Sequence, residues 1–132
     1  MFTLQQMKAA HAKVKSGADF PHYVQEIKSY GLKSYSYNVT DGTITYYGEN
    51  GHQVDAPAIY EPKTINLIAS PDELRRIISI HQQGKTDFLT LCEQAAAAGV
   101  KKWVIDTERM LCTYEDTDGK EMVVEPIPEA GY

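Results

Sequence analysis

Apolar residues recur along the chain with two different spacings, and the order of those spacings repeats. Phe20, Tyr23, Val24, Ile27 and Tyr30 fall at i, i+3, i+4, i+7 and i+10, one stripe of a helix with 3.6 residues per turn. Beyond Gly31 the period drops to two: Tyr35, Tyr37 and Val39 alternate with Ser34, Ser36 and Asn38, which predicts a half-buried strand. Sixty-eight residues later the same signals return. Phe88, Leu91, Cys92, Ala95 and Ala98 occupy the helical stripe, Gly99 follows, and Trp103 and Ile105 stand where Tyr35 and Tyr37 stood. Gly31 and Gly99 are each placed to close a helix in the left-handed conformation.

The flanking signals agree. Thr3 with Gln6 forms a predicted capping box, with Phe2 and Met7 as its hydrophobic staple. Ser70, Pro71 and Glu73 repeat that start in the second half, offset by 67. Each half then offers a second strand, ITYYG from Ile44 and CTYED from Cys112, and a tight turn at Asn50-Gly51 and Asp118-Gly119. Over residues 19–54 against 87–122, seven of 36 ungapped pairs are identical, and caps, stripes, glycine stops and turns coincide as separate physical constraints. The expected architecture is α+β, an internal duplication of an ααβββ unit with antiparallel meanders and a pseudo-twofold. The expected organisation is one domain made of repeats at about 3–56 and 70–125, packed through their helices or joined edge to edge. Pro57 and Pro62 discourage helix in the joining segment 57–69, Thr64 to Ile68 could add a short strand, and EPIPEAGY ends the chain as an extended tail.

At 132 residues the chain can bury roughly two-thirds of its unfolded surface without a staple. A net charge of -5 argues against nucleic acid, whose phosphates are held by clustered Lys and Arg. MFTLQQMKAAHAKVKSG has no apolar signal region and no run is long enough to span a membrane, so a cytoplasmic location and no membrane contact are expected. Two cysteines make no disulfide framework. Cys92 and Cys112 match Val24 and Ile44 in the other half, so both read as small buried hydrophobes.

None of the four histidines has zinc-site spacing, and no metal or cofactor is expected. His11 shares a helix face with Leu4, Met7 and Val14, and His81 takes the place of Val14 in the second half. These two are candidates for a groove or ligand site between the halves, titrating near neutral pH. His22 and His52 are expected at the surface. Tyr35, Tyr37, Tyr46, Trp103 and Tyr114 suit the inward face of the strands. Tyr47 and Tyr60 do not, and with Ile59 they form a candidate partner surface. Glu108, Glu115, Asp116, Asp118 and Glu121 gather around the second hairpin as a solvated edge without a cation-binding pattern.

No nucleophile elbow, phosphate loop or dinucleotide fingerprint is present, and no catalytic residues are named. The stretches FTLQQMKAAHAKVKSGADFPHYVQEI, HQQGKTDFLTLCEQAAAAGVKKWVID and CTYEDTDGKEMVVEPIP together resemble the YdfO-like or YbcV-like group of small uncharacterised bacterial proteins, often prophage-borne. Some of its members are labelled phage envelope proteins. The resemblance covers nearly the whole chain and implies no activity or site residues. The expected role is a noncatalytic protein-interaction or oligomerising module. The alternative is a small-molecule binder or enzyme with its site in the groove between the repeats.

Overall fold

Helix α1 (Leu4–His11) begins at the expected capping box, with the Gln6 amide donating to Thr3 Oγ1 and the Thr3 amide donating to Gln6 Oε1. The computed structural model describes residues 2–14 and 19–128. Helix α2 (Phe20–Ser29) carries the predicted stripe, burying Tyr23, Val24 and Ile27, while Tyr30 caps the helix, largely exposed, with its hydroxyl on Glu26. Strands β1 (Ser34–Asn38), β2 (Ile44–Tyr47) and β3 (Gln53–Ala56) follow. The second half runs α3 (Pro71–Gln82), α4 (Phe88–Ala97), β4 (Lys102–Asp106), β5 (Leu111–Glu115) and β6 (Glu121–Pro126).

The six strands make one antiparallel sheet in the order β3-β2-β1-β4-β5-β6. Its register carries the repeat. Ser34 faces Tyr47 across β1 and β2, and Lys102 faces Glu115 across β4 and β5, the same pairing sixty-eight residues on. The halves join edge to edge through β1 and β4, where Ser36 lies opposite Val104, its own counterpart. An antiparallel pair has its local two-fold normal to the sheet, so this junction sends the helices of both halves to the same face. That face receives Tyr35, Tyr37, Tyr46, Trp103, Ile105 and Cys112, all buried in one core with the helices.

The copies diverge at their second hairpins. Gly48 donates its amide to His52 and Asp116 donates to Lys120, equivalent bonds closing equivalent turns. Inside them, Asn50 and Gly51 both have positive φ, whereas in the second turn Gly119 alone does among the described residues. The register then slips between Tyr114 and Glu115: Glu115 faces Glu121, but Tyr114 faces Val123. This is a β-bulge, and the consecutive buried residues Met122 and Val123 are its signature.

Three expectations change. Thr64–Ile68 forms no strand, because the segment instead caps α4: Asn66 donates its amide to Ala96 and its side chain to Ala97, and the Ser70 amide donates to Ala98. Glu125 and Pro126 belong to β6 rather than to a tail, and buried Ile127 donates its amide to the Met110 carbonyl. The rest of the expected tail, residues 129–132, lies outside the described residues. His52 is partly buried rather than freely exposed, since its Nε2 sits 2.8 Å from the Phe2 carbonyl and its ring packs edge-on to Phe2.

Candidate functional site

Each helix packs mainly on the other helix of its own half, α1 on α2 and α3 on α4. Between the two pairs the helical layer leaves a cavity of about 390 Å³ over the central strands. Its floor is aromatic because the two-fold junction brings the inward rings of both halves together. Tyr37 and Trp103 face each other across β1 and β4 and stack at 4.4 Å with planes 11° apart. Phe88, from the first turn of α4, stands edge-on to both of them. Tyr23, Tyr35 and Tyr114 complete the ring-lined surface.

His11 and His81 both line this cavity, one from each half. The His11 ring lies edge-on to Tyr23 at 5.5 Å and to Phe88 at 5.0 Å, so a residue of α1 touches the first turn of α4. Burial among those rings lowers its pKa below the ordinary value. His81 is lowered by the same cause, opposed by a hydrogen bond to the Thr86 backbone and by the charge of Asp87; the Thr86 hydroxyl also lies 3.1 Å from its Nδ1. Both imidazoles are therefore biased towards the neutral form, able to accept a proton or a hydrogen bond at one nitrogen.

Two further polar groups escaped sequence reading. Glu125 lies on the inward face opposite Cys112, half-buried, with Gln82 Nε2 donating to it at 3.1 Å. Burial raises its pKa, and the Gln82 bond acts in the opposite direction. The simple period-two count from Glu121 places Glu125 with the outward residues, and only the bulge reverses it. Tyr23, 4% exposed, has a hydroxyl without a well-formed hydrogen bond among the described residues, beside the phenols of Tyr35 and Tyr46.

The remaining candidates lie elsewhere. Tyr47 is exposed near the end of β2. Ile59 is exposed at the opposite end, over Gly42 in the β1–β2 turn. Tyr60 is pinned inward, donating to the Val39 carbonyl at 2.6 Å and meeting the Tyr37 hydroxyl at 3.2 Å. The three do not form one patch. Cys92 is buried with its sulfur 3.2 Å from the Tyr37 hydroxyl, and burial raises its pKa; the Cys112 thiol is pushed up to about 12 by burial. Among the described residues no three His, Cys, Asp or Glu side chains gather as a metal site. The acidic hairpin is occupied locally: Asp116 accepts the amides of Asp118 and Lys120, Glu115 pairs with Lys102 and Glu108 with Lys33.

The family described as Protein of unknown function (DUF1398) matches residues 8–126. The chain belongs to that family. The match spans both halves and the segment between them, so the DUF1398 unit takes in the cavity lining from His11 to Pro126, with Ile127 and Pro128 just beyond it. No curated protein matches the sequence. Among the described residues, no helix of this DUF1398 member is long and apolar enough to cross a membrane.

Proposed function

We propose that the protein is a noncatalytic binding module for a small molecule with an aromatic or flat apolar body, held between the helix pairs and the sheet. The observation that carries this reading is the ring-lined cavity, whose volume lies within the usual range of ligand pockets and whose few polar groups converge on it. His11 and His81 are the site residues contributed by the two halves. The reading treats 3–56 and 70–125 as repeats acting as one cytoplasmic domain, in a YdfO-like or YbcV-like member of the DUF1398 family.

The test uses Trp103, the sole tryptophan, as a reporter in the cavity floor. Small aromatic compounds are expected to change its fluorescence saturably and raise the melting temperature. Leu91→Trp, which fills the cavity wall, is expected to abolish the effect of added compound on thermal stability. Absence of any saturable response across such compounds overturns the reading.

A second reading, a protein-interaction or self-associating module, is supported by exposed apolar residues between the halves. Leu67 and Ile68 are 84% and 78% exposed, and Ile59 is exposed nearby in sequence. Sedimentation equilibrium of the native chain against Leu67→Ser/Ile68→Ser is its test, with loss of association expected in the variant. A native chain that stays monomeric and captures no partner counts against it.

A further inference from the structure

Resting on the cavity reading, we infer that its ligand is an organic cation, an amine carried on an aromatic body, with Glu125 as the anchoring carboxylate. The second copy breaks the repeat at its last hairpin. In the first half β2 and β3 pair without interruption, and Ile44 faces Ala56. In the second half the extra residue at Met122–Val123 shifts the pairing by one, so Cys112, the counterpart of Ile44, faces Glu125. A one-residue slip turns every later side chain to the opposite face of a strand. Without the bulge, Val124 would face Cys112 and Glu125 would point away from the helices. The bulge thus exchanges a hydrocarbon for a carboxylate on the cavity floor.

Among the described residues that carboxylate has no ion-pair partner: no lysine or arginine among them lines the cavity, and Glu125 takes part in none of their ion pairs. Its partner is the neutral Gln82 side chain. A half-buried carboxylate with one neutral donor retains unused acceptor capacity and an uncompensated charge. The surrounding rings add to the preference, because aromatic faces present negative potential that attracts ammonium groups. An anionic ligand meets repulsion from Glu125, and a neutral one leaves the carboxylate as it is.

The experiment titrates the full chain with 4-phenylbutylamine, 4-phenylbutanol and 4-phenylbutanoate at neutral pH, reading Trp103 fluorescence excited at its red edge. The three probes share one body and differ in charge. The amine is expected to bind about tenfold or more tighter than the alcohol, with the carboxylate weakest. Glu125→Gln is expected to bring amine and alcohol within about threefold of each other. Equal binding of all three, or tightest binding of the carboxylate, overturns the cation inference and leaves the cavity reading standing. No saturable response to any of them overturns both. The charge series on the unaltered protein decides the matter even if the variant does not fold.

Discussion

Val39 and Thr107 occupy equivalent places in the two halves, and each donates its amide to the carbonyl of the other half's lysine, Lys101 and Lys33 respectively, at 2.9 Å. These reciprocal bonds extend the β1–β4 junction at both ends. Thr107 adds a bond its counterpart cannot make: its buried hydroxyl lies 2.7 Å from the Leu32 carbonyl and 2.9 Å from that of Lys33. Thr107→Val keeps the shape and removes the donor, and is expected to cost about 1–2 kcal/mol, whereas Thr107→Ser retains most of the bond. Urea unfolding of the pair checks this.

Gly31 and Gly99 both close helices with positive φ, yet they are not equally replaceable. A Cβ at Gly31 meets nothing within 4 Å, so Gly31→Ala is expected to cost about 1–2 kcal/mol for the left-handed backbone alone. At Gly99 a Cβ would lie 2.7 Å from Ala69 Cα and 3.0 Å from the Ile68 carbonyl oxygen. Gly99→Ala therefore adds a steric cost of about 1–3 kcal/mol and displaces the segment that caps α4. Denaturant midpoints of the two variants, compared at equal m-value, read the difference.

Tyr60→Phe is expected to destabilise the fold by about 1 kcal/mol, because it orphans the bond to Val39 while keeping the ring. Tyr47→Ser, at an exposed position, is expected to stay within about 0.5 kcal/mol of the parent. Thermal melts under one condition separate the two tyrosines that sequence placed in one group.

The pH dependence follows from two opposite shifts. His11 and His81 have folded pKa values below the ordinary 6.5, so protonation favours the unfolded chain. Their contribution is complete above pH 6.5 and is lost as pH falls through the depressed folded values. Glu125 is raised above its ordinary 4.5, so its contribution is present below that pH and lost as pH rises through the folded value. His11→Phe is expected to flatten the loss of stability on the acid side, and Glu125→Gln to steepen it. Unfolding free energies from pH 4 to 8 test both signs.

Thiol chemistry gives a kinetic prediction. Burial raises both cysteine pKa values, but Cys112 lines the cavity while Cys92 is fully buried behind Tyr37, so Cys92 of the native protein is expected to react with an aromatic disulfide reagent only through opening. Its labelling at pH 8 should complete rapidly in denaturant and lag without it. Fast labelling of native Cys92 would contradict its placement behind Tyr37.

Helix starts and inward rings were legible in sequence because they depend on neighbours a few residues away. Thr3 and Gln6 cap one turn, Val24 and Ile27 share one stripe, and Tyr35 and Tyr37 share one face. A fully buried Ile27 contributes roughly 1.5–3 kcal/mol wherever its partners come from, so its stripe shows before the partners are known. Duplication extended this to the cysteines, whose counterparts are hydrocarbons. The grouping of Tyr47, Ile59 and Tyr60 rested on their not fitting the inward face, and a misfit to one face does not say at which end of a strand a residue lies.

By itself, then, the sequence determined the ααβββ unit, its repetition and the apolar faces, all set by local periodicity and by turn and cap chemistry. Tertiary structure alone decided that β1 pairs with β4, which places the helices on one face and brings His11 to Phe88. It alone decided that Thr64–Ile68 caps a helix and that Glu125 turns inward. Strand partners and bulges are chosen by the hydrogen bonds and side chains of distant segments, and a one-residue slip reverses a face without altering composition or periodic pattern.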